Sequence, residues 1–324
     1  MDKRPIDIQR EAAIHIKLPQ NCGKIEEMRN IDQHLYAIAE YGIFEIILPD
    51  TIDPERTNPE IKPMVKEILN VGFSEPFVSR ILGQVFEFSQ ILPQPALHEM
   101  LVIAFNILMS IDQMVETLID LKEQTISIIE KIDMHNNFDN SVRVSQISGL
   151  EFKSKAFLLE AHKVLKQVLQ LLIKASNINN CDNFSKLVKI TKNNNVKKII
   201  EAHRKITLEF IWEIRNAVEH TSDRKFIKIN NISISVNNKI TPPTWIWSYS
   251  SWENKTINSK DNSSLLDDMD VIISNLLTLT EDALLCLALE KAYEIIPFEI
   301  EYKQNSEKCR YKVKYIIPNI KKDH

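Results

Sequence analysis

Apolar positions recur with a helical period over most of this chain and alternate only in a few short runs. Leu158, Ala161, Leu165, Val168 and Leu172 follow i, i+3, i+7, i+10, i+14, which predicts an amphipathic helix over residues 150–175. Pro95 opens a long helical stretch to Ile132, broken at His135-Asn-Asn-Phe-Asp-Asn, and further long helices are expected over 196–220 and 265–296. Ser74 as N-cap with Pro76 in the first turn predicts a helix reaching about Leu92, and shorter helices are expected over 24–41 and 184–190. Strand-like runs occur at 13–18, 43–48 and 226–236, the last folding back around Asn230-Asn231, and a terminal hairpin is expected from 298–302 and 311–317. The Pro-rich piece from Pro49 to Pro59 reads as a loop.

These elements predict a mainly α fold class: a C-terminal up-and-down helical bundle with a small β-hairpin insert, preceded by a mostly helical N-terminal region. The expected division is residues 1–148, then a bundle over 149–296 with its insert at 224–262, then a β-hairpin tail over 297–324. Glycine usage agrees, since 5 glycines in 324 residues, the last at Gly149, are too few for a turn-dense barrel.

Composition narrows the class. With 44% hydrophobic and 26% charged residues the chain can bury a large core. Its 4 cysteines, Cys22, Cys181, Cys286 and Cys309, form no C-x-x-C pair, and the N-terminus has no apolar export segment. The best uncharged runs, Met100–Ile111 and Val271–Thr280, are shorter than a bilayer span, so a cytoplasmic protein with no membrane partner is expected. No phosphate-binding glycine loop, dinucleotide fingerprint or H-E-x-x-H is present, and His98-Glu99 lacks the second histidine, so neither metal nor cofactor is expected. Asn254-Lys-Thr and Asn262-Ser-Ser match glycosylation spacing without meaning in a cytosolic chain.

Charge changes the picture further. The net value is -4, yet residues 149–228 hold 13 Lys and 3 Arg against 8 acidic residues, a local +8 that leaves -12 on the remainder. Lys186, Lys189, Lys192, Lys197, Lys198, Arg204 and Lys205 would present a positive field to a polyanion, or form an ordinary solvated lysine-rich surface. Trp245, Trp247 and Trp252 could stack bases, although packing of the insert accounts for them better.

On a continuous helical wheel, residues 196–220 place Ile199, Ile206, Phe210, Ile211, Ile214, Ala217 and Val218 on one apolar arc. Arg215, Asn216, Glu219 and His220 fall on the opposite arc, with Leu208 and Trp212 between them, whereas His203 lies within the core arc. Arg-x4-His spacing occurs three times, at Arg10 to His15, Arg29 to His34 and Arg215 to His220. Arg29-Asn-Ile-Asp-Gln-His34 has the same outline as the last copy, but only the last sits in the basic segment between long helices.

The string Ile211-Trp-Glu-Ile-Arg-Asn-Ala-Val-Glu-His220 resembles the R-[polar]-x-x-x-H signature of the HEPN superfamily over about Gly149 to Ile296. That resemblance implies a metal-independent endoribonuclease with Arg215, Asn216 and His220 as catalytic residues, of the toxin or phage-defence kind. It also implies products ending in a 2′,3′-cyclic phosphate and a 5′-hydroxyl. Histidine transfers protons near neutral pH, and arginine holds a planar fork of charge on phosphate. Glu219, Lys197, Lys198, Arg204 and Lys205 are expected to support the site or bind RNA. A homodimer joined through Leu208 and Trp212 would supply a second histidine, and an antitoxin or regulatory partner fits the same reading. The rival reading is a non-catalytic HEPN-like module that binds RNA or a partner.

Overall fold

Among the described residues, eleven strands and ten α-helices alternate irregularly along the chain. The structure is a computed structural model that describes residues 4–11, 16–135, 144–220, 222, 224–234, 240–252, 257–294, 297–303 and 309–316. The expected break at 136–140, the run at 13–15, His15, Val236, Asn254, Ile296 and Ile317 lie outside the described residues. The chain divides into two compact units, residues 1–105 with 292–324, and residues 106–291.

The first unit begins with α1 (Pro5–Glu11) and a four-stranded antiparallel meander, β1 (Ile25–Ile31), β2 (His34–Ala39), β3 (Ile43–Ile47) and β4 (Met64–Leu69), with α2 (Pro49–Ile52) between the last two. Ala37, Ala39, Phe44 and Ile46 bury one face of this sheet with Cys22. A Cβ on Gly72 would lie 2.1 Å from the Ala39 carbonyl oxygen, so the chain leaving β4 crosses the end of β2 at a distance only glycine permits. Arg10, buried, reaches Asp50 at 3.2 Å, Asp53 at 3.3 Å and the Asn58 carbonyl at 2.8 Å, which clamps the Pro-rich loop onto α1. α3 (Pro76–Val78), a π turn over Ser79–Gly83 and α4 (Gln84–Phe88) follow, with Glu75 rather than Ser74 at the N-cap. Residues 94–105 of α5 (Gln94–His135) also belong here.

The second unit takes the rest of α5, then α6 (Leu150–Ala175), α7 (Phe184–Ile190), α8 (Asn194–His203), a π turn over Arg204–Leu208, and α9 (Glu209–Glu219). Gly149 caps α6 at φ +66°, a backbone region that costs glycine little. Asn183 and Asn193 cap α7 and α8 by accepting backbone N–H bonds, which is why the Asn-rich breaks start helices as well as end them. Strands β5 (Phe226–Asn230), β6 (Ser233–Ile234), β7 (Ile240–Thr241), β8 (Thr244–Ser250) and β9 (Ile257–Ser264) then precede α10 (Leu265–Lys291). α6 packs along α10 and α9, while Ser110 to Glu160 at 3.0 Å, Lys153 to Asp120 at 2.5 Å and Lys122 to Asp270 tie α5 to α6 and α10. The hairpin β10 (Phe298–Tyr302) and β11 (Tyr311–Tyr315) returns to the first unit, where Gln84 bonds the backbone of Tyr311.

The mainly α fold class is overturned. Helix accounts for about 53% and strand for about 22% of the structure, in sheets of 4, 3, 2 and 2 strands, which is a mixed α/β protein rather than a helical bundle. Two causes are local. The helix expected over 24–41 is the β1–β2 hairpin, whose turn residues Asp32 and Gln33 both have positive φ, 48° and 70°. Such a two-residue turn is usually spelled with glycine, and here it is not. The insert is a three-stranded sheet in the order β5-β8-β9 with a separate β6–β7 pair, larger than one hairpin.

Two helices, Gln94–Ile132 and Leu265–Lys291, are long and apolar enough to cross a membrane by length and composition alone, with mean hydropathies of 1.5 and 1.6. Burial of 56% and 67% of those windows inside the fold accounts for their composition.

Candidate functional site

The basic segment folds as α7, α8, the π turn and α9, and the π turn decides where its side chains point. A π turn fits an extra residue into one turn of a helix, so a continuous wheel loses register across Arg204–Leu208. Ile206, expected in the core, is 67% exposed, and Leu208, expected on the motif face, is fully buried. Trp212 is half-buried and packs edge-on against His162 of α6, ring centroids 4.8 Å apart. The expected dimer stripe of Leu208 and Trp212 is therefore corrected: one residue belongs to the core and the other packs on α6.

Beyond the π turn the expected core face holds, with Ile211, Ile214 and Ala217 buried. The other side of α9 is not open. Glu209 and Glu213 are buried beneath the insert, where Glu209 accepts the Trp252 backbone N–H and Glu213 accepts the Trp252 indole N–H at 3.0 Å and pairs with Lys225. Trp245 is buried with its indole bonded to Asp268 at 2.7 Å, and Phe210 packs edge-on against Trp245, Trp247 and Tyr249. The tryptophans thus attach the insert to α9 and α10.

The last turn of α9 carries the motif. Arg215 is three-quarters buried and donates to Glu219 at 2.7 Å and to Asn216 Oδ1 at 3.3 Å. His220 closes the helix as its C-cap, its backbone N–H bonding the Asn216 carbonyl at 2.8 Å, and its side chain is 82% exposed with Glu219 at 4.0 Å. The structure thus brings Arg215, Asn216, Glu219 and His220 together at one helix end, a guanidinium and an exposed imidazole on a single turn. Lys197, Lys198 and Lys205 are exposed along α8 and the π turn, and Arg204 is half-buried beside Glu201 at 3.8 Å. His203 is half-buried and bonds Asp282 at 2.9 Å, so it joins the scaffold.

Sequence reasoning missed His162. It lies on the apolar face of α6, 5% exposed, with its Nε2 buried and unpartnered, as is the Nε of Arg215. Burial first, and the positive charge of Arg215 second, hold its pKa down at about 4, so it is neutral wherever the protein is near pH 7. A histidine interrupting the run Leu158, Ala161, Leu165 was the available signal.

The competing copy has no comparable geometry. Arg29 is in β1, paired with Glu27 at 3.2 Å and lying over the Phe86 ring, and His34 begins β2 with Nδ1 2.6 Å from Glu45. Among the described residues no group of three His, Cys, Asp or Glu side chains is placed to hold a metal ion. Comparison with known protein families, curated proteins and solved structures finds no match for this chain.

Proposed function

We propose that the second unit is a metal-independent endoribonuclease of HEPN type, in keeping with the toxin or defence effectors that the motif resembles. The observation that carries it is the single helical turn in which a part-buried arginine and an 82% exposed histidine stand on either side of Asn216 and Glu219. In this reading the 2′-hydroxyl oxygen attacks the adjacent phosphorus as a base removes its proton, and the bond to the 5′-oxygen breaks as an acid protonates that oxygen. His220 serves as one of these proton-transfer groups. Arg215 stabilises the negative charge that builds on the phosphorane, and the buried His162 beside it, neutral at pH 7, adds no charge of its own. The His220 of a second copy would supply the other proton-transfer group, because His162 is too buried to reach substrate.

The Arg215–Glu219 pair favours a second reading, a non-catalytic RNA-binding or protein-interaction module, since the carboxylate occupies the fork a phosphate would need. One experiment separates the two. Purified protein is incubated with total RNA and EDTA beside its His220→Ala and Arg215→Ala variants. Cleavage by the wild type alone supports the enzyme, and binding without cleavage by all three supports the module.

A further inference from the structure

Away from the motif turn, a cavity of about 250 Å³ opens between α7, the end of α8 and the segment that follows β8. Lys189 and Arg204 are its cations, Ser185 and Glu201 add a hydroxyl and an acceptor, and the indole of Trp252 forms a wall. That indole is held at two points, by its own N–H on the buried Glu213 and by its backbone N–H on the buried Glu209. Its hydrogen-bonding edge is therefore spent, and what it offers the cavity is an aromatic face that costs no ordering when something stacks on it. A rigid aromatic wall flanked by cations suits a flat base that carries a phosphate. Glu201, whose carboxylate is exposed, can accept from a ring or exocyclic N–H.

We propose that this cavity binds one nucleotide of single-stranded RNA, its base stacked on Trp252 and its phosphate held by Lys189 and Arg204. The proposal rests on the ribonuclease reading for its substrate and adds a subsite that selects where the strand lies. The helical path from Arg204 to His220 is about 24 Å at about 1.5 Å per residue, so the held nucleotide is several positions from the cleaved bond. The cavity would thus govern position and preference rather than chemistry.

The test uses the full chain carrying His220→Ala, with AMP as probe and adenosine and inorganic phosphate as comparators, read by titration calorimetry. Binding of AMP tighter than of either comparator is expected. Lys189→Gln combined with Arg204→Gln should weaken it tenfold or more in a variant that keeps its circular-dichroism spectrum, while Lys163→Gln, an exposed lysine of α6 outside the cavity, should change it less than twofold. No AMP binding, binding indifferent to the rim pair, or an equal loss in Lys163→Gln would overturn the proposal. Rim-dependent AMP binding by a protein whose wild type leaves RNA intact would keep the subsite and remove the ribonuclease reading. RNA cleavage without rim-dependent AMP binding would do the reverse.

Discussion

His162 gives the site a measurable signature that needs no substrate. Its imidazole is buried against Trp212 and beside Arg215, and its pKa falls from 6.5 to about 4. In the unfolded chain it protonates near 6.5, so as pH drops the unfolded state takes up a proton that the native state refuses. Stability attributable to this group is therefore intact above pH 6.5 and is lost progressively between about 6.5 and 4. At about 1.36 kcal/mol per pKa unit, the loss is about 2 kcal/mol by pH 5 and about 3 kcal/mol by pH 4. His162→Phe keeps a flat ring against Trp212 and removes the titration. Urea unfolding of wild type and variant is compared at pH 8 and pH 5 through tryptophan fluorescence. All 4 tryptophans, Trp212, Trp245, Trp247 and Trp252, lie in residues 106–291, so the signal reports that unit alone. The wild type should lose about 2 kcal/mol more than His162→Phe over that interval. Parallel curves, differing by less than about 0.5 kcal/mol, would mean that the imidazole titrates as in water and that the packing of His162, Trp212 and Arg215 is wrong.

Other expectations follow from the same contacts. Asp112, buried on α5 with Glu116 nearby, has its pKa raised to about 6, so it destabilises the native state at neutral pH and recovers as pH falls from 6 to 3.8. Asp112→Asn should thus stabilise by up to about 3 kcal/mol at pH 7 in the same urea assay, a gain absent below pH 4; no gain at pH 7 would refute the burial argument. Glu219→Gln frees the Arg215 fork and should lower KM for RNA several-fold, with stability changed by less than about 0.5 kcal/mol because the pair is part-exposed; a tenfold fall in kcat would instead place Glu219 in the chemistry. Trp245→Phe removes the indole bond to Asp268, which keeps Ser263 and Lys260, and opens space under β8, which should cost about 2 kcal/mol in thermal melts of the purified chain, and an unchanged melt would contradict that anchor. His34→Ala should leave RNA cleavage unchanged, because His34 is spent on Glu45 in a hairpin; loss there would move the site to the early motif.

Which parts were legible in sequence follows from the range of the forces involved. α6 and the core face of α9 were readable because Leu158 to Leu172, and Ile211 to Ala217, obey one period over several turns. The β1–β2 hairpin was not, since Asp32 and Gln33 adopt left-handed φ without the glycine that announces such a turn. The π turn was invisible for a different reason: apolar residues continue through Ile206 and Leu208, and only tertiary packing reveals that one is out and the other in. At the candidate site, Arg215, Asn216 and His220 were singled out by their spacing. His162, 53 residues upstream of Arg215, and Trp252, 39 beyond Glu213, reach the motif helix only through long-range packing.

The termini left on cleaved RNA test the central claim most directly. A defined single-stranded RNA is incubated in EDTA with the full-length protein, and its fragments are weighed by mass spectrometry beside those from His220→Ala. Attack by the 2′-hydroxyl predicts fragments ending in a 2′,3′-cyclic phosphate and beginning with a 5′-hydroxyl, present with the wild type and missing with the variant. Intact RNA, fragments carrying 5′-phosphates and 3′-hydroxyls, or the same fragments from His220→Ala would contradict it.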